Sequence, residues 1–286
     1  MKNEISQLLP EPQQQLALEG LYLSHDLRKL ASDSGKPYVY SNFVTSLDGR
    51  IAVPHPTRRG LMVPKTTANE RDWRLFQELA AQSDLIISSG RYLRDWADGR
   101  AQEILQIDDP RFADLRDWRE RQGFAPHPDI AIISHLLDFP IPDVLTAGGR
   151  KVIVFTTAMH DPARVPAIEA KAGQVFVAGK ESVDGATMMN IVHKLGYQTV
   201  YSAAGPRIMH LLLEGGALDR LYLTYANRLL GGELYATILQ GEAFDPPVDM
   251  TLNALYYDPV ALEGLGQLFG VYEVERESGD STLHAA

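Results

Sequence analysis

The sequence predicts an α/β fold: a mainly parallel central sheet with an antiparallel C-terminal edge and helices on both faces. Three observations carry this expectation. Strand-like runs of β-branched and aromatic residues alternate with amphipathic, helix-like runs along most of the 286 residues. Two strands, one through Leu85-Ile86-Ile87 and one through Val200-Tyr201, end in small residues and pass straight into a helix. The last two apolar runs, Leu252 to Tyr257 and Leu268 to Val274, have only a proline- and glycine-bearing link between them, as an antiparallel pair would.

Taken in order, residues 1–36 are polar and proline-bearing, with one helical stretch around Gln15 to Leu30. They are expected to pack on the surface as an N-terminal extension, ahead of a single unit over residues 37–286. Tyr38 to Val44 is the first core strand and leads into Thr45-Ser46-Leu47-Asp48-Gly49-Arg50, where Asp48-Gly49 marks a turn. The stretch Val53 to Pro64 holds three prolines, His55 and Arg58-Arg59-Gly60, and reads as a loop. A helix to about Gln82 follows, with Thr66 or Thr67 as its cap, Glu70 as the capping-box partner, and Trp73, Phe76, Leu79 and Ala80 on one face. Residues 94–128 are charged and tryptophan-bearing without a strand signal, so a helical insertion or a long active-site loop is expected there. Strands are expected at Asp129 to Ser134, Lys151 to Thr157 and Gln174 to Ala178. A helix capped by Asp184 runs to Lys194. After the second turn, Ile208, Met209, Leu211, Leu212 and Leu213 form an apolar helix face that ends at Gly215-Gly216, and Asp219 to Ala226 is the next strand.

The two strand-to-helix turns are the candidate functional elements. Ala203, Ala204 and Gly205 have almost no side chain, and Pro206 suits a first helical turn because its missing N–H costs nothing there. Such a turn lets a ligand approach the backbone and aims free N–H groups and the positive end of the helix dipole at it, which suits a phosphate. A glycine present for sterics alone is the alternative. Ser88-Ser89-Gly90-Arg91-Tyr92 repeats the pattern. Two such turns on one rim match the two phosphate groups of NADPH. Arg91 is the candidate for the 2′-phosphate, since a guanidinium fork matches phosphate oxygens. Arg58 and Arg59 could meet a further phosphate or stay a solvated pair. Asp48 is either a turn-former bonded to its own backbone or a functional group at a strand end. It is the one acid that the sequence places near this site, hence the candidate proton donor or substrate anchor, with water as the alternative.

Composition excludes other classes. The formal charge of −10 argues against nucleic-acid binding. The absence of cysteine removes disulfides and thiolate metal sites, and the eight histidines show no paired metal spacing, so no metal is expected. The N-terminus has no apolar core of signal-peptide length and no run could span a bilayer, which makes the cytoplasm the default location. No P-loop and no Ser-His-Asp grouping is present.

Three blocks carry a family resemblance. PYVYSNFVTSLDGRIA resembles the opening of the reductase domain of riboflavin biosynthesis proteins, which have a dihydrofolate-reductase-like three-layer fold. AAQSDLIISSGRYL is similar to that family's second strand and turn, and TVYSAAGPRIMHLLLEGGALDRLYLTYANRLLGG to its glycine turn, helix and next strand. The blocks fall in the family's order between Pro37 and Gly232. The resemblance implies a homodimeric reductase that takes hydride from NADPH and reduces the sugar imine of a phosphoribosylamino-pyrimidine. It implies that Val44, Gly90, Arg91, Tyr92, Ala204, Gly205, Pro206, Arg207 and Ile208 hold the cofactor. Asn42, Ser46, Arg58, Arg59 and Ala203 are then expected on the substrate side.

Two departures stand out. Ala203 occupies the position of a glutamate that touches the pyrimidine in the family. The family's Asp-Asp-Pro segment after the second turn is replaced by Trp96-Ala97, with Asp108-Asp109-Pro110 only later. Both lie on the substrate side. Three functions therefore stay open: 5-amino-6-(5-phosphoribosylamino)uracil reductase, a same-fold reductase of another substrate such as a dihydropterin, and a non-catalytic nucleotide-binding protein.

Overall fold

The computed structural model describes residues 3–171 and 173–276, so residues 277–286 of the expected unit and residues 1–2 of the extension lie outside it. The chain opens with strands β1 (Glu4–Leu9) and β2 (Gln14–Ala17) and helix α1 (Leu27–Ser34). Strand β3 (Tyr38–Ser46), a small hairpin of β4 (Val53–Pro54) and β5 (Leu61–Met62), α2 (Glu70–Ala81), β6 (Leu85–Ser89) and α3 (Gly90–Ala97) follow. Helix α4 (Ala113–Arg121) precedes β7 (Asp129–Ile133), α5 (Asp143–Thr146), β8 (Val152–Thr156), α6 (Val165–Glu169) and β9 (Gln174–Val177). The last elements are α7 (Gly185–Lys194), β10 (Thr199–Ser202), α8 (Pro206–Glu214), β11 (Arg220–Ala226), β12 (Met250–Asp258) and β13 (Gln267–Val274).

Eleven of these strands form one sheet in the order β2-β1-β12-β13-β11-β3-β10-β6-β7-β8-β9. From β11 to β9 all neighbours are parallel, and β13, β12, β1 and β2 add an antiparallel flank. Period-two alternation divides the strands between two faces. Tyr40, Ile86, Tyr201 and Tyr222 point to the side covered by α1, α2 and α4, where they pack with Leu27, Leu75, Leu79 and Leu115. Val39, Ile87, Val200 and Leu221 point to the other side, against Met188 and Val192 of α7 and Met209 and Leu212 of α8. Leu93, Leu145 and Ile168 cover Ile130, Ile132, Val152 and Val154 at the far end. The predicted fold class is the observed one.

The N-terminal segment differs from the expected surface extension. It joins the sheet: β1 pairs antiparallel with β12 and buries Ile5 completely. The physical reason is the exposed edge that β12 would otherwise present, which invites pairing with another strand. Gln15 to Ala17 is strand, not helix, and the helix starts only at Leu27 behind Asp26, whose side chain accepts from the Lys29 N–H. The carboxylate of Glu78 on α2 ties the segment down by accepting from the N–H groups of Gly20 (2.6 Å) and Tyr22 (2.9 Å).

A smaller expectation is corrected as well. Helix α2 is capped by Asn69, whose side chain accepts from the N–H groups of Arg71 and Asp72, while the Thr67 hydroxyl turns back to the Pro64 carbonyl. The charged stretch 94–128 builds α3, a short turn and α4, held by Arg119. This fully buried guanidinium donates to the carbonyls of Ala81 (2.7 Å) and Ser83 (2.8 Å), which satisfies a charge that burial would otherwise penalise.

If β1 belongs to the core, Ile5→Ala is expected to lower the unfolding free energy by about 2–4 kcal/mol, as for other buried large-to-small changes. Urea denaturation checks this. A loss below about 0.5 kcal/mol, typical of surface positions, would restore the surface extension.

Candidate active site

The site is set by unequal strand lengths. Ser202, the last residue of β10, lies level with Ser41 of β3 and Ile87 of β6. Beyond that level β3 runs on to Ser46 and β6 to Ser89. The result is a notch at the carboxyl end of β10, between two longer neighbours, where strand order reverses in a parallel sheet. Such switch points are where ligands bind in open α/β sheets. In the β3 half of the notch, Asn42 and Val44 are only partly buried, whereas Ser41, Phe43 and Thr45 on the opposite face are buried. The Tyr201 hydroxyl donates to the Asn42 side-chain oxygen and fixes its orientation.

Two helices begin at this notch, and neither has a capping side chain. Gly205 caps α8 and Ser89 caps α3, each without a side-chain hydrogen bond. Helices α4, α5 and α6 also lack one, whereas α1, α2 and α7 are capped by Asp26, Asn69 and Asp184. A missing cap costs about 1 kcal/mol. In the α8 turn the Gly205 carbonyl accepts from Ile208 and Met209, and the Ala203 N–H reaches the Ile87 carbonyl. The N–H groups of Ala204, Gly205 and Arg207 have no backbone or side-chain acceptor among the described residues.

The two glycines are there for different reasons. A Cβ on Gly90 would come within 3.0 Å of the Phe139 ring, so packing explains that glycine. Gly205 has an ordinary φ of −78° and a Cβ there would meet nothing within 4 Å. Neither backbone strain nor any neighbour in the chain requires a glycine at 205. Sterics within the protein therefore do not account for it.

The remaining predicted residues divide into those at the rim and those occupied elsewhere. Arg58 and Arg59 are exposed at the tip of the β4–β5 hairpin, and Gly60 beside them lies close to the Arg91 guanidinium: a Cβ there would sit 3.6 Å from Arg91 Nη2. Arg91 itself is 65% exposed and bound only loosely to Asp95 at 3.4 Å. The hairpin tip thus lies beside Arg91, while the Arg58 guanidinium is held by His55 Nε2. Tyr92, Ala203 and Ala204 are partly buried at it, while Pro206 and Arg207 form the first turn of α8. The Ile208 side chain points into the core with Met209, so only its backbone belongs to the turn. Ser46 is buried, donating to Asp48 and accepting from the Arg50 N–H, and its hydroxyl is not offered to a ligand.

Asp48 has a structural task. Its carboxylate accepts from the Ser46 hydroxyl, from Arg50 Nη1 and from the N–H groups of Leu230 and Gly231. These bonds, the one from Ser46 first, hold its pKa down at about 2. It has no proton to give near neutral pH. The contacts fit the turn-former and not the proton donor expected as the alternative.

The sequence reading missed Asp72. It is 8% exposed on α2, on the same face as Phe76 and Leu79. Thr224 of β11 lies beside Val44 in the sheet register, on the face of the sheet that α2 covers. No ion pair among the described residues includes Asp72. Burial pushes its carboxyl up to about 6, and the Thr224 hydroxyl offsets part of that. A carboxylate within an apolar helix stripe was the signal available in the sequence.

Among the described residues no helix is long and apolar enough to cross a membrane, and no group of three or more His, Cys, Asp or Glu could hold a metal.

Residues 37–259 match the model of the RibD C-terminal domain family. A 2,5-diamino-6-ribosylamino-4(3H)-pyrimidinone 5′-phosphate reductase from Archaeoglobus fulgidus is 25% identical over 214 residues, covering 73% of this chain and 89% of its own. The protein of the same name from Methanothermobacter thermautotrophicus is 24% identical, over 75% of this chain and 88% of its own. Among solved structures, a pyrimidine reductase-like protein from Corynebacterium diphtheriae aligns with a TM-score of 0.64 at 18% identity, over 88% of this chain and 99% of that one. The chain belongs to the RibD C-terminal domain family.

The role given to Asp48 has a measurable consequence. Asp48→Ala is expected to lower the melting temperature at pH 7 by freeing the 229–231 loop. Because the folded pKa is depressed, the stabilisation is fully present above the ordinary carboxylate pKa and fades as pH falls toward about 2. The gap between the two proteins should therefore narrow in acid. An unchanged melting temperature at pH 7 would contradict the structural role.

Proposed function

We propose that this member of the RibD C-terminal domain family is an NADPH-dependent reductase of riboflavin biosynthesis, acting on a ribosylaminopyrimidine 5′-phosphate. The observation that carries the reading is Gly205, a glycine at an uncapped helix start that nothing within the chain requires. The N–H groups of Ala204, Gly205 and Arg207 are positioned to receive the cofactor pyrophosphate, at the positive end of α8. Val44 and the notch edge of β3 receive the nicotinamide. Arg91 takes the 2′-phosphate, and Arg58 and Arg59, close to it at the hairpin tip, take the phosphate of the substrate.

Bound NADPH supplies a hydride to the imine carbon of the opened sugar. The chain's part is proximity: it holds the reacting carbons together over Asn42 and Val44, which asks little else of the protein. The proton that completes the reduction comes from water at the exposed rim, since Asp48 is fully ionised. The same reading makes the enzyme a cytoplasmic homodimer, which rests on the resemblance and the sequence. NADPH oxidation followed at 340 nm with the pyrimidine phosphate, and separately with dihydropterins, tests it. Turnover of the pterin alone would replace the substrate, and turnover of neither would replace the function.

Two variants test the cofactor contacts. Gly205→Val is expected to abolish NADPH binding while the melting temperature changes by no more than a few degrees, because its side chain enters open space. Unfolding instead would return Gly205 to a packing role. Arg91→Ala is expected to weaken NADPH roughly ten- to hundredfold, the size of one charge-assisted contact, and to leave NADH nearly unchanged. Equal losses for both would remove Arg91 from the 2′-phosphate.

A further inference from the structure

Away from the residues assigned to cofactor and substrate, a cavity of about 590 Å³ opens between α3, the segment 137–141 after β7, and α6 with the turn before it. A volume of that size suits a small-molecule ligand. Its floor is apolar. Leu137 and Ile168 are buried in the cluster that covers β7 and β8, and the partly exposed Phe139 ring packs against that cluster. The wall is bent at Leu137, whose φ of 52° lies in the left-handed region that bulky residues rarely adopt. Its N–H is held there by the Ser134 hydroxyl at 3.2 Å. Backbone strain of this kind collects at ligand sites. Beyond the bend, the Phe139 ring and the Arg94 guanidinium lie together against the Gly90 backbone: a Cβ on Gly90 would stand 3.0 Å from the ring and 3.5 Å from Arg94 Nη1.

Three cations line the cavity: Arg94 from α3, Arg164 from the turn before α6, and Lys171 just after α6. Arg94 donates from Nη1 to the Asp138 carbonyl at 2.6 Å and forms no ion pair among the described residues. Arg164 stands 3.3 Å from the Asp138 carboxylate and 3.6 Å from that of Asp161, both longer than a charge-assisted hydrogen bond. Lys171 meets Asp143 at 2.8 Å, with both side chains largely exposed. Formal charges around the cavity therefore balance. The three acids are mostly exposed, however, and exposed pairs contribute little, so these carboxylates give way readily to a dianion.

We propose that this cavity is a second ligand site, which binds a small aromatic phosphate monoester. The ring lies over the apolar floor beside Phe139, and the phosphate lies among Arg94, Arg164 and Lys171. Offset stacking suits a flat ring at the Phe139 face. Guanidinium forks match phosphate oxygens, and a phosphate monoester carries nearly two negative charges for three cations to meet. The site is separate from the notch and does not depend on the reaction proposed there.

The probe is 1-naphthyl phosphate, titrated calorimetrically into the full chain with NADP⁺ in excess. Wild type is expected to bind it, and to bind uncharged 1-naphthol roughly tenfold more weakly or worse. Arg164→Ala should weaken the phosphate roughly tenfold and leave 1-naphthol unchanged, the size of one charge-assisted contact. Ala167, exposed on α6, also lines the cavity, so the added ring of Ala167→Phe should fill it and abolish binding of both compounds. Both substitutions are at exposed positions away from the notch and should leave the affinity for NADP⁺ as it is. Wild type that does not bind the phosphate, or binding that neither variant weakens, overturns the proposal. So does binding that Arg59→Ala removes and Arg164→Ala does not, since that places the probe at the hairpin tip. A chain that shows the expected pattern with the probe but binds no NADP⁺ keeps the second site and loses the proposed reductase function.

Discussion

The shortness of one strand governs this molecule. β10 stops at Ser202 between β3 and β6, both of which continue, and every feature of the site follows from the gap that this leaves. The helix after β10 begins at the sheet's rim, behind the small residues Ala203, Ala204 and Gly205. The next helix along the rim, α3, begins at Gly90 behind the longer β6, and both starts go without side-chain caps. Backbone N–H groups that would elsewhere be satisfied by Asp or Asn are left for whatever enters the notch.

The second constraint is how buried charge is distributed on the covering face. Glu78 fixes the N-terminal segment over α2, and Arg74 neutralises Glu78 while reaching Asp114 on α4. Arg71 pairs with Asp258 at the end of β12. The N-terminal segment lies before residue 37, where the family match begins. It nevertheless contributes β1 to the sheet and Tyr22 to the packed interior, so the extension belongs to the fold's core.

How much of this was legible in the sequence depended on range. The parallel core was readable because each strand carries its own pattern and each βα turn its own small residues. Ser88-Ser89-Gly90 and Ala203-Ala204-Gly205 are local signals, and the structure brings them to one rim. The N-terminal strands were not readable, because EISQLL and QQLA have no strong alternation and gain their order from β12, more than two hundred residues away. Asp48 looked functional because its type and place at a strand end suit chemistry. What decides its role is the 229–231 loop, which sequence spacing does not reveal. Asp72 was hidden for the opposite reason: the apolar stripe around it reads as core.

The most direct measurement is a crystal structure of the chain with NADP⁺ bound. The pyrophosphate oxygens should lie about 3 Å from the N–H groups of Ala204, Gly205 and Arg207, with the nicotinamide against the β3 edge at Val44. A cofactor whose pyrophosphate sits away from the start of α8 would contradict the role given to the notch.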